Sequence, residues 1–513
     1  MKVDLLRFRR ERLPELTIFL ILLLSYVYFF PRWADQNQNS RLDMIVAVVD
    51  DGTLQIDRYV ENTVDYARVG GHYYSDKAPG TAFLGIPIYA GLKWILQNPA
   101  LIPWMDRLAN NAAFQSTLRV GGSGIYLEKV RFAIAQVVLT DLISAVPAAF
   151  LGVLLFRVMR KLLRGAHTIP TNLLVLAVLG YGLLTPAFPY AGAFYGHQLS
   201  AAILFGIFYL IFEHQAEGRY SPLTLAWIGL LLALSVIVEY PTALIAGVLG
   251  VYLAILLVRN QRITQISWTV LGGIAPILGW MAYNTTVFGG PLNLGYSYSE
   301  QWQTQHHTGF MSLSFPHLDA IWGLTFGVFR GLLFYSPVLI LGLVSLVAWW
   351  KNGRFRLEMW VAAVCVGLTF LFNASSSMWW GGWAVGPRYL VPGLPFLVIA
   401  IAFGLERWWR LGWLRVAAIL LAIWSFVAIW GLTLAGQSFP SDAIANPLLE
   451  YALPNWVSGN IARNLGTILG LHGAFSLIPL ALAVASVLAG WSVIELNSGK
   501  GTLPEKQNIP IEA

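Results

Sequence analysis

The chain of 513 residues holds a single cysteine, Cys365, in an apolar run, which excludes an internal disulfide, a thiolate metal site and a redox pair. Charge is scarce as well: only 12% of residues are Asp, Glu, Lys or Arg, against 57% hydrophobic, and the mean hydropathy is +0.62. A soluble globular fold is excluded by that balance. No Gly-rich phosphate loop and no dinucleotide fingerprint occurs, so a nucleotide sugar or ATP has no seat. There is also no internal repeat, no separate soluble domain and no low-complexity tract beyond a polar C-terminal tail. The formal charge of +7 does not point to nucleic acid, because the basic residues cluster beside apolar runs, where the positive-inside bias places them against anionic lipid headgroups.

What is abundant is apolar sequence in runs of roughly 18 to 25 residues, the length that spans a bilayer. The first run, Leu16 to Pro31, follows a basic N-terminus and lacks the small-residue cleavage site of a secretory signal, so it is expected to remain as an anchor. The run 132–156 ends in Arg157-Val-Met-Arg-Lys and belongs in the cytoplasm at that end. Residues 32–129 are then external, and Thr81 to Leu96, with its Lys93, is expected as a helix lying in the outer interface. Further runs near 168–190, 197–213, 222–238, 240–258, 264–284, 331–350, 357–374, 389–405, 412–434 and 470–495 alternate across the bilayer. This predicts an all-α polytopic membrane protein of about twelve transmembrane helices. Residues 1–15 and 497–513 are cytoplasmic, and 16–496 form a single membrane domain. Arg219, Arg259, Arg262, Lys351, Arg354, Arg356, Arg407, Arg410, Arg415 and Lys500 fall at cytoplasmic ends.

The opposite side collects polar, aromatic and glycine-rich segments at 32–129, 285–330, 375–388 and 435–469. Four clusters there are candidates for one site. In the first loop, Asp50, Asp51 and Glu61 read as solvating acids. Asn39-Ser-Arg41-Leu-Asp43 and His72-Tyr-Tyr74-Ser-Asp76-Lys77-Ala-Pro79 instead pair cations with carboxylates over short spans and read as functional. Tyr195-Gly-His197-Gln198 fits either a helix cap or a site. Glu239, before Pro241, is an acid at the lipid boundary and carries a functional expectation. Asp141 is the most deeply placed acid and fits a structural hydrogen bond equally well. The densest cluster is Trp379-Trp380-Gly-Gly-Trp383-Ala-Val-Gly-Pro-Arg388-Tyr389. Its glycines let backbone approach a ligand, and its guanidinium offers a fork to phosphate, so it reads as a platform for a lipid phosphate and a sugar.

This architecture and the element Asp76-Lys77-Ala-Pro79 resemble the GT-C glycosyltransferases, in the branch of the protein O-mannosyltransferases and the lipid A aminoarabinose transferase. Motif content covers the first half of the chain, and the Trp-Gly-Gly-Trp segment resembles uncharacterised bacterial relatives. The resemblance implies transfer, with inversion, of a sugar from a polyprenyl-phosphate carrier to a hydroxyl of a glycan, lipid or protein acceptor at the external face of the inner membrane. Family members carry an Asp-Glu pair just before an arginine after the first span, but alignment on Arg41 puts Gln38 and Asn39 there. Asp43 is therefore the expected base, with Asp35, Asp57 and Asp65 behind it. A second family acid, at the outer end of the third span, is absent, and His197 occupies that neighbourhood. Lys77, Arg41 and Arg388 are expected to hold the departing phosphate, and Tyr74, Trp380 and Trp383 to stack on sugar or isoprenoid. No cofactor is required by this chemistry; a divalent metal would have to come from His72 with Asp76, or from His306 with His307. The alternatives are a secondary transporter, or a non-catalytic lipid-binding or flippase-type protein.

Overall fold

The computed structural model describes residues 2–32, 35–115, 126–164, 169–215, 220–306, 308–309 and 312–499. Each of the twelve apolar runs carries helix. The helices that frame the bundle are α1 (Lys2–Val27), the polar α2 (Gln36–Val46) and α3 (Gly80–Leu96). They continue with α4 (Lys129–Leu162), α5 (Thr171–Leu184), α6 (Gly196–His214), α7 (Pro222–Val238), α8 (Tyr240–Arg259), α9 (Ile263–Phe288), α10 (Pro337–Asn352) and α11 (Arg356–Ala374). The last are α12 (Arg388–Val398 continued by Ile401–Trp408, bent by 44°), α13 (Gly412–Leu434) and α14 (Gly473–Ile494). Seven of these are long and apolar enough to cross a membrane, eight if bent α12 is one span, which agrees with a multi-pass membrane protein. Of the four shorter apolar ones, α5, α7 and α10 are bounded by local signals. Pro170 precedes α5 and Thr185 ends it in extended backbone, Ser221 caps α7 through Thr224 N, and Gly353, at φ 76°, ends α10.

The two ends of the bundle differ in chemistry. At the far end of the 34-residue α4, Arg157 makes a forked bond to Glu15 of α1 (2.6 and 3.0 Å), and Lys161 reaches Glu213 of α6 at 3.2 Å. Arg354, after α10, pairs with Glu406 of α12 at 2.6 Å and donates to Arg164 O. All of these residues lie at the ends expected to be cytoplasmic. Arg219 and Lys500 lie outside the described residues. Between the ends the contacts are apolar, and the closest is the crossing of α7 and α9. A Cβ on Gly229 would sit 1.7 Å from Thr269 O, and one on Gly272 would sit 1.9 Å from Ala226 O. Small residues on both faces let the backbones touch, which replaces the hydrophobic drive that a bilayer does not supply.

The segment after α1 is built differently. Helix α2 reads Gln-Asn-Gln-Asn-Ser-Arg-Leu-Asp, yet nine of its eleven residues, Gln38 through Val46, are buried. Four of its buried polar side chains find partners individually. Gln38 accepts from Phe194 N (2.8 Å), Asn39 donates to Asn62 O (2.9 Å), Ser40 meets Ser75 (2.9 Å), and Asp43 accepts from Asn62 (3.0 Å). The chain then forms a hairpin of β1 (Tyr66–Val69) and β2 (His72–Ser75), with Val69 opposite His72 and Tyr66 opposite Ser75. Gly70 and Gly71 both have positive φ (60° and 87°), the backbone of a two-residue turn whose twist matches the strands. Helix α3 packs on α2, α4 and α7, and its first residue, Gly80, lies against the backbone of Ile237 and Val238.

Substitution at the close crossing should separate packing from hydrophobicity. Gly229→Ile is expected to lower the thermal midpoint of the detergent-solubilised protein by several degrees. Gly247→Ile on α8, where a Cβ has open space, should leave it within about a degree.

Candidate functional site

The hairpin register decides the centre of the site. Because Tyr66 pairs with Ser75, the residues just outside the ladder, Asp65 before β1 and Asp76-Lys77 after β2, stand side by side. Lys77 Nζ lies 3.0 Å from Asp65 Oδ2 and 3.1 Å from Asp76 Oδ1. Asp76 is fully buried and also accepts from Ser299 Oγ at 2.9 Å, whereas Asp65 faces a cavity and accepts from Trp302 Nε1 at 3.4 Å. Burial pushes the Asp65 carboxyl up, but the adjacent Lys77 ammonium more than offsets this and holds it below the usual carboxylate range. For Asp76 burial wins and the carboxyl is raised. Lys77 is raised too, since its two carboxylates outweigh its desolvation.

The cavity occupies about 350 Å³ and is lined from six connections that all lie at one end of the bundle. Asp35, Arg41, Asp65 and Lys77 come from the segment between α1 and α4; Tyr195 and His197 from the start of α6; Glu239 and Pro241 from the α7–α8 break. Tyr296 and Trp302 follow α9, Trp383, Arg388 and Tyr389 follow α11, and Ser438, Phe439 and Asp442 follow α13. Asp35 caps α2 by accepting from Gln38 N, and Tyr195 donates to its other oxygen at 2.7 Å, so this carboxylate is structurally committed. Arg330 is fully buried and holds the Trp-Gly-Gly-Trp loop through Trp380 O (3.2 Å) and Gly382 O (2.8 Å).

Arg41 and Arg388 differ in how they are compensated. Arg41 donates to Asn37 and lies 3.7 Å from Glu239, whose Oε2 is also 3.5 Å from His197 Nδ1. Arg388 makes no ion pair among the described residues. Its guanidinium is sandwiched between the rings of Tyr195 (5.2 Å) and Tyr389 (5.1 Å), donates to Tyr389 OH at 3.3 Å, and leaves Nε without a partner. A buried, aromatic-flanked guanidinium with unused donors is a receptor for an anion with oxygens.

Of the four carboxylates expected as the base, Asp35 and Asp65 line the cavity, and Asp35 is already engaged by Gln38 N and Tyr195 OH. Asp43 is corrected: its helix turns it away from the cavity, it is fully buried against Asn62, and burial raises its carboxyl well above the usual range. Asp57 is corrected as well, since it lies on the exposed side of the hairpin, accepting from Tyr73 N (2.6 Å) and meeting His72 Nδ1 (2.7 Å). His72 follows it there, Tyr74 is half-buried against the core next to Gln55, and Trp380 bonds Asp442 instead of lining the cavity. Arg41, Lys77, His197, Glu239, Trp383, Arg388 and Tyr389 do line it, with Asp76 directly behind Lys77. Sequence reasoning missed Trp302 and Asp442 as lining residues, and missed the hairpin, for which Gly70-Gly71 between β-prone residues was an available signal. His72 with Asp76 does not form a metal site: one is half-exposed on Asp57, the other buried on Lys77. His307 lies outside the described residues, and among those residues no three His, Cys, Asp or Glu converge to hold a metal.

No family model matches the sequence, and no curated protein matches it significantly.

Removing the shared ammonium should reverse the pH response of this end of the molecule. In Lys77→Met, Asp65 and Asp76 lose their counter-charge, and both folded-state pKa values rise above the unfolded ones. Stability at pH 7 is expected to fall by about 3–5 kcal/mol and to recover as pH is lowered toward about 4, read as the thermal midpoint across that range.

Proposed function

We propose that the chain is an integral-membrane glycosyltransferase of the GT-C kind that moves a sugar from a polyprenyl-phosphate carrier to an acceptor hydroxyl at the external face of the inner membrane. In this reading all twelve apolar runs cross the bilayer, both termini are cytoplasmic, and the cavity opens at the external side. The observation that carries it is Arg388, a buried guanidinium lining the cavity with no ion pair among the described residues. A departing lipid phosphate supplies the oxygens that this fork lacks.

The remaining groups fit inverting transfer. The acceptor oxygen attacks the anomeric carbon, the bond from that carbon to the phosphate oxygen breaks, and polyprenyl phosphate leaves with the electron pair. Asp65 takes the acceptor proton; held low by Lys77, it stays ionised until the attacking hydroxyl becomes acidic in the transition state. Lys77 and Arg388 stabilise the phosphate charge that develops, and no nucleotide or general acid is needed. Trp383, half-exposed at the cavity, offers a face for sugar or isoprenoid, and the acceptor is a glycan, lipid or protein hydroxyl. A secondary transporter is less well supported, because its site belongs near mid-depth between repeats, and these polar groups gather at one end.

Transfer of radiolabelled sugar from a panel of polyprenyl-phosphate donors, in membranes matched for expression, tests the assignment. Asp65→Asn is expected to lose about 10²-fold or more, and Arg388→Ala to lose donor binding and rate together. Asp43→Asn should remain within a factor of about 3 of wild type. Full activity in Asp65→Asn would remove Asp65 as the base, and no transfer from any donor would reject the reading.

A further inference from the structure

One wall of the cavity is built from three side chains on three separate elements: Arg41 of α2, His197 in the first turn of α6 and Glu239 between α7 and α8. All three are at least nine-tenths buried, with side chains 2%, 3% and 6% exposed. They converge without bonding. Glu239 Oε2 is 3.7 Å from Arg41 Nη2 and 3.5 Å from His197 Nδ1, and Arg41 Nε, His197 Nδ1 and Glu239 Oε2 have no hydrogen-bond partner. An orphaned buried polar atom costs roughly 1–3 kcal/mol, and all three of these residues line the same cavity, where a ligand can supply the missing bonds.

The missing partner has a definite chemistry. A carboxylate oxygen only accepts, a guanidinium N–H only donates, and a neutral imidazole nitrogen does one or the other. Phosphate would satisfy Arg41 and be repelled by Glu239; an ammonium would do the reverse. A hydroxyl donates and accepts, and serves both. The carboxylate is also placed deliberately: a Cβ on Gly196 would meet Glu239 Oε2 at 2.4 Å, so glycine leaves the room it occupies. There it sits over the N-terminus of the 19-residue α6, which no side chain caps and whose dipole favours a negative charge.

We propose that Arg41, His197 and Glu239 form the subsite that reads the hydroxyls of the transferred sugar, with Glu239 accepting from one hydroxyl and Arg41 donating to a neighbour. The subsite selects a neutral polyhydroxylated sugar over one carrying an ammonium or a carboxylate. The inference rests on the transfer reading above for the carrier that brings the sugar, while Arg388 and Lys77 hold the phosphate.

The test uses the purified full chain in detergent and four water-soluble probes: citronellyl phosphate, and citronellyl phosphate bearing a neutral hexose, an aminohexose or a hexuronic acid. Binding is compared for wild type, Glu239→Gln, which keeps the shape, and Gly196→Ala, which displaces the carboxylate; size-exclusion profiles confirm that each variant is folded. Wild type is expected to bind the neutral-hexose probe about tenfold or more tightly than bare citronellyl phosphate, with both variants losing that increment while binding citronellyl phosphate as wild type does. Equal increments in wild type and both variants would overturn the subsite while leaving the carrier reading intact. A wild-type preference for the amino or uronic probe would overturn the hydroxyl assignment. Failure of wild type to bind any of the four probes would overturn the carrier reading, and the subsite with it.

Discussion

Burying a polar helix in an apolar bundle is the constraint on which the rest of this molecule depends. Helix α2 carries Gln38, Asn39, Ser40, Arg41 and Asp43 into positions with almost no solvent, and each such group must find a partner or pay for its desolvation. Those partners come from distant parts of the chain: Phe194 ahead of α6, Asn62, Ser75 on the hairpin and Glu239 beyond α7. Satisfying α2 therefore pulls the connections of one end of the bundle together. The cavity forms where the matching stops and the orphaned atoms begin.

The hairpin adds the second device. Two left-handed glycines set a register, the register sets Asp65 beside Asp76 and Lys77, and one ammonium then serves two carboxylates of unequal exposure. The buried Asp76 anchors the lysine while the cavity-facing Asp65 remains available to a ligand. Arg388 is positioned by different means, beside two tyrosine rings and with no ion pair among the described residues, so its donors stay available. One cavity thus holds an ion-paired cation and one without such a pair, an arrangement suited to recognising an anion next to a proton acceptor.

Hydropathy made the helical, membrane-like architecture legible, because a run such as 412–434 has few ways to satisfy its backbone in lipid except as helix. Arg41, Lys77, His197, Glu239, Trp383, Arg388 and Tyr389 were legible as unusual polar or aromatic residues beside apolar runs, and all of them border the cavity. Asp43 and Asp57 were misjudged for the same reason that Asp65 was ranked low. Distance along the chain from Arg41 was the available guide, but the helix turns Asp43 into a packed interior and the hairpin turns Asp57 outward. Trp302 and Asp442 carried no signal, since a residue in a polar loop gives no sign of which other loop it meets.

The sequence by itself determined the solvent and the periodicity: which segments must be helical, which ends carry the basic residues, and which connections carry the polar side chains. These are one-dimensional properties, set by the energetic cost of placing charge and unpaired backbone in hydrocarbon. Only the tertiary structure decided which carboxylates face the cavity, which arginine there makes no ion pair among the described residues, and that Arg41, His197 and Glu239 meet though 156 and 42 residues separate them in turn. Those outcomes follow from the hairpin register, the turn of α2 and the crossing of helices far apart in sequence, and they exist only once side chains compete for the same buried space.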